Sequence, residues 1–302
     1  MSSPTRPLPG WSVPLFFIVG AVSQYLGAAI GVFLFETIEP ATVAWLRAAA
    51  AAAVLVCWRR PWRVRWTRHS LLVTAGFGLV TVCMNVAFYE SISRIPLGTA
   101  VAIEFAGPVA VAALGSRRMR DGLAVLLVAA GVVLLAGTQT RGQSDVSADV
   151  QWVGVALALI AAVMWAGYIL LGKRVADTGD GVDSLAVGMA LGAAVLAPIL
   201  VTTQSLRDAS VFADPRTWLL GAGIGVLSSA IPYALDQRVL ATIGRARFAL
   251  LLALLPATAA VVGAAVLAQH PSVGEIGGIA LVMLALVISA RAAPAAQGPA
   301  AP

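Results

Sequence analysis

The sequence has too few charged residues for a water-soluble protein of its length. Charged residues make up only 11% of the 302 residues, whereas hydrophobic residues make up 60%. A soluble globular domain carries about 25% charged residues. The chain cannot bury so much apolar surface in one aqueous core, so most of it must be solvated by lipid. This shortage of charge indicates an integral membrane protein that crosses the bilayer many times.

Cysteine and histidine are also scarce, and common metal or nucleotide motifs are missing. Cys57 and Cys83 have no CxxC spacing, which indicates neither a zinc site nor a disulfide framework, and His69 and His270 fall outside the apolar stretches. There is no HExxH sequence and no Walker A loop. We therefore expect no metal, no cofactor and no enzymatic activity. The isoelectric point of about 10.1 indicates basic loops beside anionic lipid rather than a nucleic-acid partner.

Ten apolar stretches are long enough to span the membrane. A transmembrane helix needs roughly 20 apolar residues, and backbone groups in lipid must be hydrogen-bonded within the segment. The predicted spans are Val13–Phe35, Ala41–Trp58, Ser70–Tyr89, Pro96–Gly115, Gly122–Thr138, Gln151–Gly172, Ser184–Thr203, Thr217–Asp236, Ala246–Ala268 and Val273–Arg291.

The positive charges predict the orientation of these spans. Of the 20 Lys and Arg residues, 15 fall on the side that carries both termini, four fall on the opposite side, and Arg47 lies within a span. Loops rich in Lys and Arg stay in the cytoplasm. We therefore expect a bacterial inner-membrane protein with both termini in the cytoplasm.

The spans divide into two sets of five, separated by a polar segment. Because five is odd, a second copy of the first half would lie inverted in the membrane, as in many carriers. Gly107-Pro108 in the fourth span and Leu255-Pro256 in the ninth are a weak echo of such a repeat. The predicted fold is an all-α integral membrane protein with ten transmembrane helices as two inverted five-helix repeats. Its parts are a cytoplasmic tail at 1–12, the first repeat at 13–140, a linker at 141–150, the second repeat at 151–291 and a cytoplasmic tail at 292–302.

Two ionisable residues within the spans are the main candidates for a functional site. Such groups cost about 2.5–3.5 kcal/mol at the bilayer centre, so they are usually functional. Glu104 lies one turn before Pro108 on the same helix face, where it would carry a proton or hold a substrate ammonium; the alternative is a structural ion pair or hydrogen bond. Arg47 would clamp a substrate carboxylate through its planar guanidinium, or else pair with Glu104 or Glu36.

Further polar, aromatic and proline residues are candidates for the walls of a central cavity. Pro108 and Pro256 weaken their helices, and such breaks often border the substrate site of a carrier, although proline is common in membrane bundles. The polar and aromatic candidates, which would line the cavity or bond one helix to another, are Asn85, Tyr89, Trp165, Tyr168, Tyr233 and Asp236. Asp236 is close enough to a helix end for an interface role instead. Glycine pairs four residues apart, such as Gly188 and Gly192, predict close helix packing.

One long block of the sequence resembles a known family. It contains Met84-Asn85 and Phe88-Tyr89, then Pro96-Leu97-Gly98, then Glu104-Phe105 and Gly107-Pro108. This pattern resembles the EamA-type members of the drug/metabolite transporter superfamily, and among them the threonine/homoserine exporters. The resemblance implies two inverted five-helix repeats around a central cavity and proton-driven efflux of a small polar metabolite. Where those exporters have Glu-Pro and Gly-Glu, this chain has Leu255-Pro256 and Ala268-Gln269, which leaves Glu104 as the main buried acid.

The sequence therefore predicts a secondary transporter that exports a small amino acid or related metabolite by proton antiport. Its expected partners are a small-molecule substrate and the lipid bilayer, with a homodimer left open. One alternative is a drug or other metabolite exporter of the same fold. Others are a membrane-embedded enzyme, which the missing catalytic motifs disfavour, and a scaffold that transports nothing.

Overall fold

The computed structural model describes residues 12–64, 66–114, 118–139, 147–177 and 181–292, and in these ranges every regular element is helical. The predicted tails and linker fall largely outside them. Short 3-10 turns lie at Leu34–Glu36, Pro61–Arg63 and Ala209–Phe212, and a π-helical turn lies at Val226–Ala230. The helices are α1 (Val13–Phe33), α2 (Pro40–Arg59), α3 (Arg68–Ile92), α4 (Leu97–Glu104), α5 (Ala106–Leu114), α6 (Met119–Gln139), α7 (Ala148–Asp177), α8 (Gly181–Asp208), α9 (Pro215–Gly225), α10 (Ile231–Leu252), α11 (Leu255–Leu267) and α12 (Val273–Ala292).

Nine segments within the described ranges are long and apolar enough to cross a membrane. They correspond to nine of the ten predicted spans, so the all-α membrane class is confirmed. The predicted eighth span, Thr217–Asp236, does not meet this criterion as a single helix. It is divided among α9, the π-helical turn and the first residues of α10, and α10 carries charged residues such as Asp236 and Arg247. The count of ten stays a prediction.

Two helix breaks lie at equivalent places in the two halves of the chain. Phe105 separates α4 from α5 in the first half. In the second half, the two residues after Leu252 separate α10 from α11. In each case the interruption begins three residues before a proline. Proline has no N–H to donate, so Pro108 and Pro256 each leave a carbonyl one turn earlier without its helical partner. Each proline therefore follows an interruption of its helix, and the part of these breaks in a substrate site stays a prediction.

Small residues let these helices approach closely. A Cβ atom on Gly78 of α3 would overlap the carbonyl oxygen of Gly188 in α8, and one on Gly192 would lie 2.6 Å from the carbonyl oxygen of Gly78. One on Gly98 of α4 would lie 2.8 Å from Cα of Ala260 in α11, so the two broken helices also touch. The packing role predicted for the Gly188 and Gly192 pair is confirmed.

Side chains from distant parts of the chain accept hydrogen bonds from backbone N–H groups at two helix starts. The first N–H groups of a helix have no partner within it. The N–H of Ala41 donates to Glu90 Oε1 at 3.0 Å, and the N–H of Leu97 donates to Gln269 Oε1 at 3.0 Å. At the opposite end of the bundle, Arg59 of α2 forms an ion pair of 2.9 Å with Asp183 of α8. Gln269 therefore joins α4 to the loop after α11. Its amide oxygen accepts this hydrogen bond at the position where the similar exporters have a glutamate.

Candidate functional site

A pocket of about 160 Å³ lies among α2, α3, α7, α8 and the π-helical turn. It brings together three of the predicted site residues, which are Arg47, Asn85 and Tyr168. The remaining lining residues are Ala51, Leu55, Thr81, Met84, Leu185, Met189, Ser229 and Ala230. Among the described residues that line it there is no acidic side chain, and Arg47 is the one that carries a full charge.

Arg47 donates two hydrogen bonds to the π-helical turn, and some of its N–H groups remain available. Its Nε donates to Ser229 Oγ at 3.4 Å, and its Nη2 donates to the carbonyl oxygen of Ser228 at 3.1 Å. Pro232 lies four residues after Ser228 and has no N–H to offer that carbonyl, which helps to leave it for Arg47. A guanidinium carries five N–H donors, so several remain. Arg47 forms no ion pair with any carboxylate in the part of the chain that the structure describes.

Tyr89 lies directly behind Arg47, away from the pocket. The guanidinium carbon is 5.6 Å from the centroid of the Tyr89 ring, which permits a cation–π interaction. The ring is 0% exposed, and Gly31 makes room for it because a Cβ there would lie 2.8 Å from Tyr89 Cε1. The Tyr89 hydroxyl lies near Arg47 and Ser228, yet it makes no hydrogen bond of good geometry to a described residue.

Glu104 is the last residue of α4, immediately before the break at Phe105. Its side chain is buried and lies within electrostatic range of Arg47. Among the described residues it forms no ion pair and no hydrogen bond, so the predicted tether between Arg47 and Glu104 is not formed. The Arg47 guanidinium and the Glu104 carboxyl group therefore lie near each other without direct contact.

The other predicted site residues surround this pair at different distances. Trp165 packs against Phe105, with ring centroids 4.7 Å apart, and so supports the break beside Glu104. Asp236 is half-buried and lies within electrostatic range of Tyr25 rather than in the pocket wall. The side chain of Tyr233 lies outside the described part of the structure.

Sequence reasoning missed several residues of this site. Tyr25 is buried and lies within electrostatic range of Glu104, Arg47 and Asp236. A signal existed, since the chain has only four tyrosines and the other three were predicted. The apolar lining residues offered no such signal, because leucine and methionine in a span are equally typical of packing or of lipid contact.

In the described ranges no group of three or more His, Cys, Asp or Glu side chains is placed to hold a metal ion.

The chain is similar to known proteins over nearly its whole length. The model of the EamA-like transporter family matches residues 152–291. The threonine/homoserine exporter RhtA of Salmonella typhimurium strain LT2 is 35% identical over 295 residues, which cover 96% of this chain and 93% of the exporter. RhtA of Escherichia coli strain K12 is 36% identical over 265 residues, which cover 87% of this chain and 86% of the exporter. A solved crystal structure shares the fold with a TM-score of 0.57 at 18% identity, covering 91% of this chain and 94% of that one.

Proposed function

Since this chain belongs to the EamA-like transporter family and is a metabolite exporter, we propose that its substrate is a small amino acid of the threonine or homoserine kind. We further propose that protons returning through the protein drive the export. The similarity to the threonine/homoserine exporters supports the substrate class, and the buried acid Glu104 supports the proton coupling.

The observation that carries this proposal is the unpaired guanidinium of Arg47 in the pocket. An uncompensated charge at membrane depth is costly, and a bidentate carboxylate is the partner that a guanidinium fits best. An amino acid in the pocket would supply that carboxylate. Glu104 lies outside the pocket lining but within electrostatic range of Arg47, and would accept the substrate ammonium or the coupling proton. Substrate binding would thus give the Arg47 guanidinium the carboxylate partner that it lacks among the described residues.

The proposed architecture is ten transmembrane helices as two inverted repeats in the bacterial inner membrane, with both termini in the cytoplasm. The equivalent helix breaks before Pro108 and Pro256 support the repeat. The contact between Gly98 of α4 and Ala260 of α11 places the two broken helices side by side, as expected where two repeats meet at a substrate path. The excess of 15 basic residues to four supports the orientation.

Uptake of labelled threonine and homoserine into inside-out vesicles tests the proposal. We expect accumulation with an imposed proton gradient and its collapse when an uncoupler is added. Glu104→Gln should abolish gradient-driven uptake while the protein remains folded and inserted. Glu36→Gln removes an exposed carboxylate of the same type and serves as the matched control, with uptake near that of the unaltered protein.

Two results would contradict parts of the proposal separately. Uptake in Glu104→Gln equal to that of the unaltered protein would remove Glu104 from the mechanism. Failure of every amino acid to accumulate, in vesicles shown to contain folded protein, would exclude the proposed substrate class and leave a drug or another metabolite.

A further inference from the structure

One face of α3 brings polar side chains to the pocket beside Arg47. Thr81, Asn85 and Tyr89 follow one another at intervals of four residues, so they share this face. Thr81 and Asn85 line the pocket, while the Arg47 guanidinium lies over the ring of Tyr89. Asn85 lies roughly 6 Å along the helix from Tyr89. It is therefore about one helical turn from the residue against which Arg47 is placed.

Asn85 uses only part of its hydrogen-bonding capacity within the protein. A side-chain amide has two N–H donors and one carbonyl acceptor. One N–H of Nδ2 donates to the carbonyl oxygen of Thr81 at 2.8 Å. The second N–H and Oδ1 have no hydrogen-bond partner among the described residues, although Asn85 is only 9% exposed. A buried polar group without a partner is unfavourable, so these two groups suit a ligand in the pocket.

The other polar side chains of the lining are engaged differently. Thr81 Oγ1 donates to the carbonyl oxygen of Phe77 at 2.7 Å, which leaves its oxygen as an acceptor only. Tyr168 stacks on Phe77 with ring centroids 4.9 Å apart. Ser229 Oγ accepts a hydrogen bond from Arg47 Nε at 3.4 Å and so belongs to the surroundings of the guanidinium. Among the described lining residues of α3, Asn85 is the one that offers a donor together with an acceptor.

Apolar side chains form the rest of the lining. They are Ala51 and Leu55 of α2, Met84 of α3, Leu185 and Met189 of α8, and Ala230. None of these side chains can donate a hydrogen bond. A substrate hydroxyl that has left water therefore needs a polar partner, and the amide of Asn85, the neighbour of Met84, can supply one.

A hydroxyl and the free part of the Asn85 amide are complementary. A hydroxyl is at once a donor and an acceptor, whereas an ammonium can only donate and a carboxylate can only accept. We propose that Asn85 binds the hydroxyl of the substrate side chain and determines a preference for hydroxy amino acids. The inference rests on the proposed function, in which the substrate carboxylate binds Arg47. The hydroxyl of threonine or homoserine is only a few bonds from that carboxylate, within reach of a residue one helical turn away.

Uptake of α-aminobutyrate, the analogue of threonine and homoserine that lacks the hydroxyl, tests this preference in the unaltered protein. In the same inside-out vesicles, we expect labelled threonine and homoserine to be taken up about tenfold more efficiently than α-aminobutyrate, because the analogue leaves the buried amide unpaired. Equal uptake of threonine and α-aminobutyrate would overturn the inference and leave the amino-acid exporter intact. If no amino acid is taken up, the inference and the proposed function are both overturned.

Asn85→Leu tests whether the amide causes the preference. Leucine keeps the branched shape of asparagine but removes its polar atoms, so the ratio of threonine to α-aminobutyrate uptake should fall close to one, through loss of threonine uptake. Asn85→Gln keeps an amide and should retain part of the ratio. A folded Asn85→Leu protein that keeps the ratio, whether or not total uptake falls, would contradict the assignment. If Asn85→Leu fails to insert, Asn85→Ala provides the same test.

Gln204→Leu is the matched control. Gln204 is a buried amide of α8 outside the pocket lining, and its Oε1 accepts a hydrogen bond from the N–H of Glu39 at 2.9 Å. The change should leave the ratio of threonine to α-aminobutyrate uptake unaltered, even where it lowers the amount of folded protein. A fall in the ratio equal to that of Asn85→Leu would show that the loss of any buried amide has this effect, and would overturn the assignment.

Discussion

Tyr89 combines complete burial with a hydroxyl that finds no well-formed hydrogen bond among the described residues. Buried polar groups are nearly always hydrogen-bonded, so an exception at a candidate site calls for a reason. Of the neighbours of this hydroxyl, Arg47 lines the pocket and Ser228 adjoins the lining residue Ser229. This hydroxyl therefore lies behind the pocket, beside the guanidinium that we propose binds the substrate carboxylate.

Tyr89→Phe separates the stability of the protein from its transport activity. Removing an unsatisfied buried hydroxyl relieves a penalty of about 1–3 kcal/mol, so thermal unfolding in detergent should occur at the same or a higher temperature. Amino-acid uptake should nevertheless fall severalfold, because the loss of the hydroxyl changes the surroundings of the Arg47 guanidinium that we propose binds the substrate. A lower unfolding temperature would show that the hydroxyl is bonded in the folded protein. Unaltered uptake would show that it has no part in transport.

Arg47→Lys tests whether the planar shape of the guanidinium is needed to bind the substrate carboxylate. Lysine keeps the positive charge but lacks the planar fork that binds a carboxylate through two parallel hydrogen bonds. We expect the concentration of amino acid needed for half-maximal uptake to rise about tenfold or more, with the protein still inserted in the membrane, since a hydrogen bond to a charged group contributes about 1.5–3 kcal/mol. An unaltered concentration would mean that the carboxylate does not bind here.

The ends of the helices show which features of a single element can be predicted from the sequence. The prolines predicted the weakened helices, because the loss of an N–H is a local property of the chain. The sequence did not reveal that the π-helical turn at Val226–Ala230 would present the Ser228 carbonyl to Arg47, nor that α11 would end on Ala268 in a left-handed conformation with φ 53°. Both features depend on neighbouring helices, which a single segment does not encode.

Ala268→Gly should stabilise the protein by about 1 kcal/mol, because a left-handed conformation is unfavourable for residues with a Cβ atom. Ala268 directly follows Leu267, the last residue of α11, and a left-handed residue at this place in a helix end is usually glycine. Thermal unfolding in detergent measures the effect. Ala264→Gly, made within α11, should have the opposite sign and cost about 1 kcal/mol. A loss of stability in Ala268→Gly would contradict the left-handed assignment.

Hydropathy predicted the class of the whole molecule because lipid imposes one simple demand, roughly 20 apolar residues for each helical span. Glu104 and Arg47 could be chosen for the site by the same logic, since an ionisable group in lipid is conspicuous. Met84 and Met189 could not, because only the packing of α3 against α8 brings them to one pocket. The eighth span is the predicted span that does not meet the length and hydropathy criterion within the described residues, because α10 mixes apolar residues with charges such as Asp236 and Arg247.

Single cysteines in loops test the orientation and the number of spans together. In a chain carrying Cys57→Ser and Cys83→Ser, a membrane-impermeant maleimide should label Arg63→Cys only in inside-out vesicles. It should label Ala213→Cys and His270→Cys only in right-side-out vesicles.

The comparison of positions 213 and 270 tests the number of membrane spans, because both residues are exposed and lie outside the candidate spans. Two crossings between them return the chain to the same side, as ten spans require, whereas a single crossing puts them on opposite sides. Labelling of Ala213→Cys and His270→Cys from opposite sides would therefore reduce the count to nine and exclude the inverted pair of five-helix repeats. Reversal of all three labels would instead keep the count and overturn the orientation that the basic residues predict.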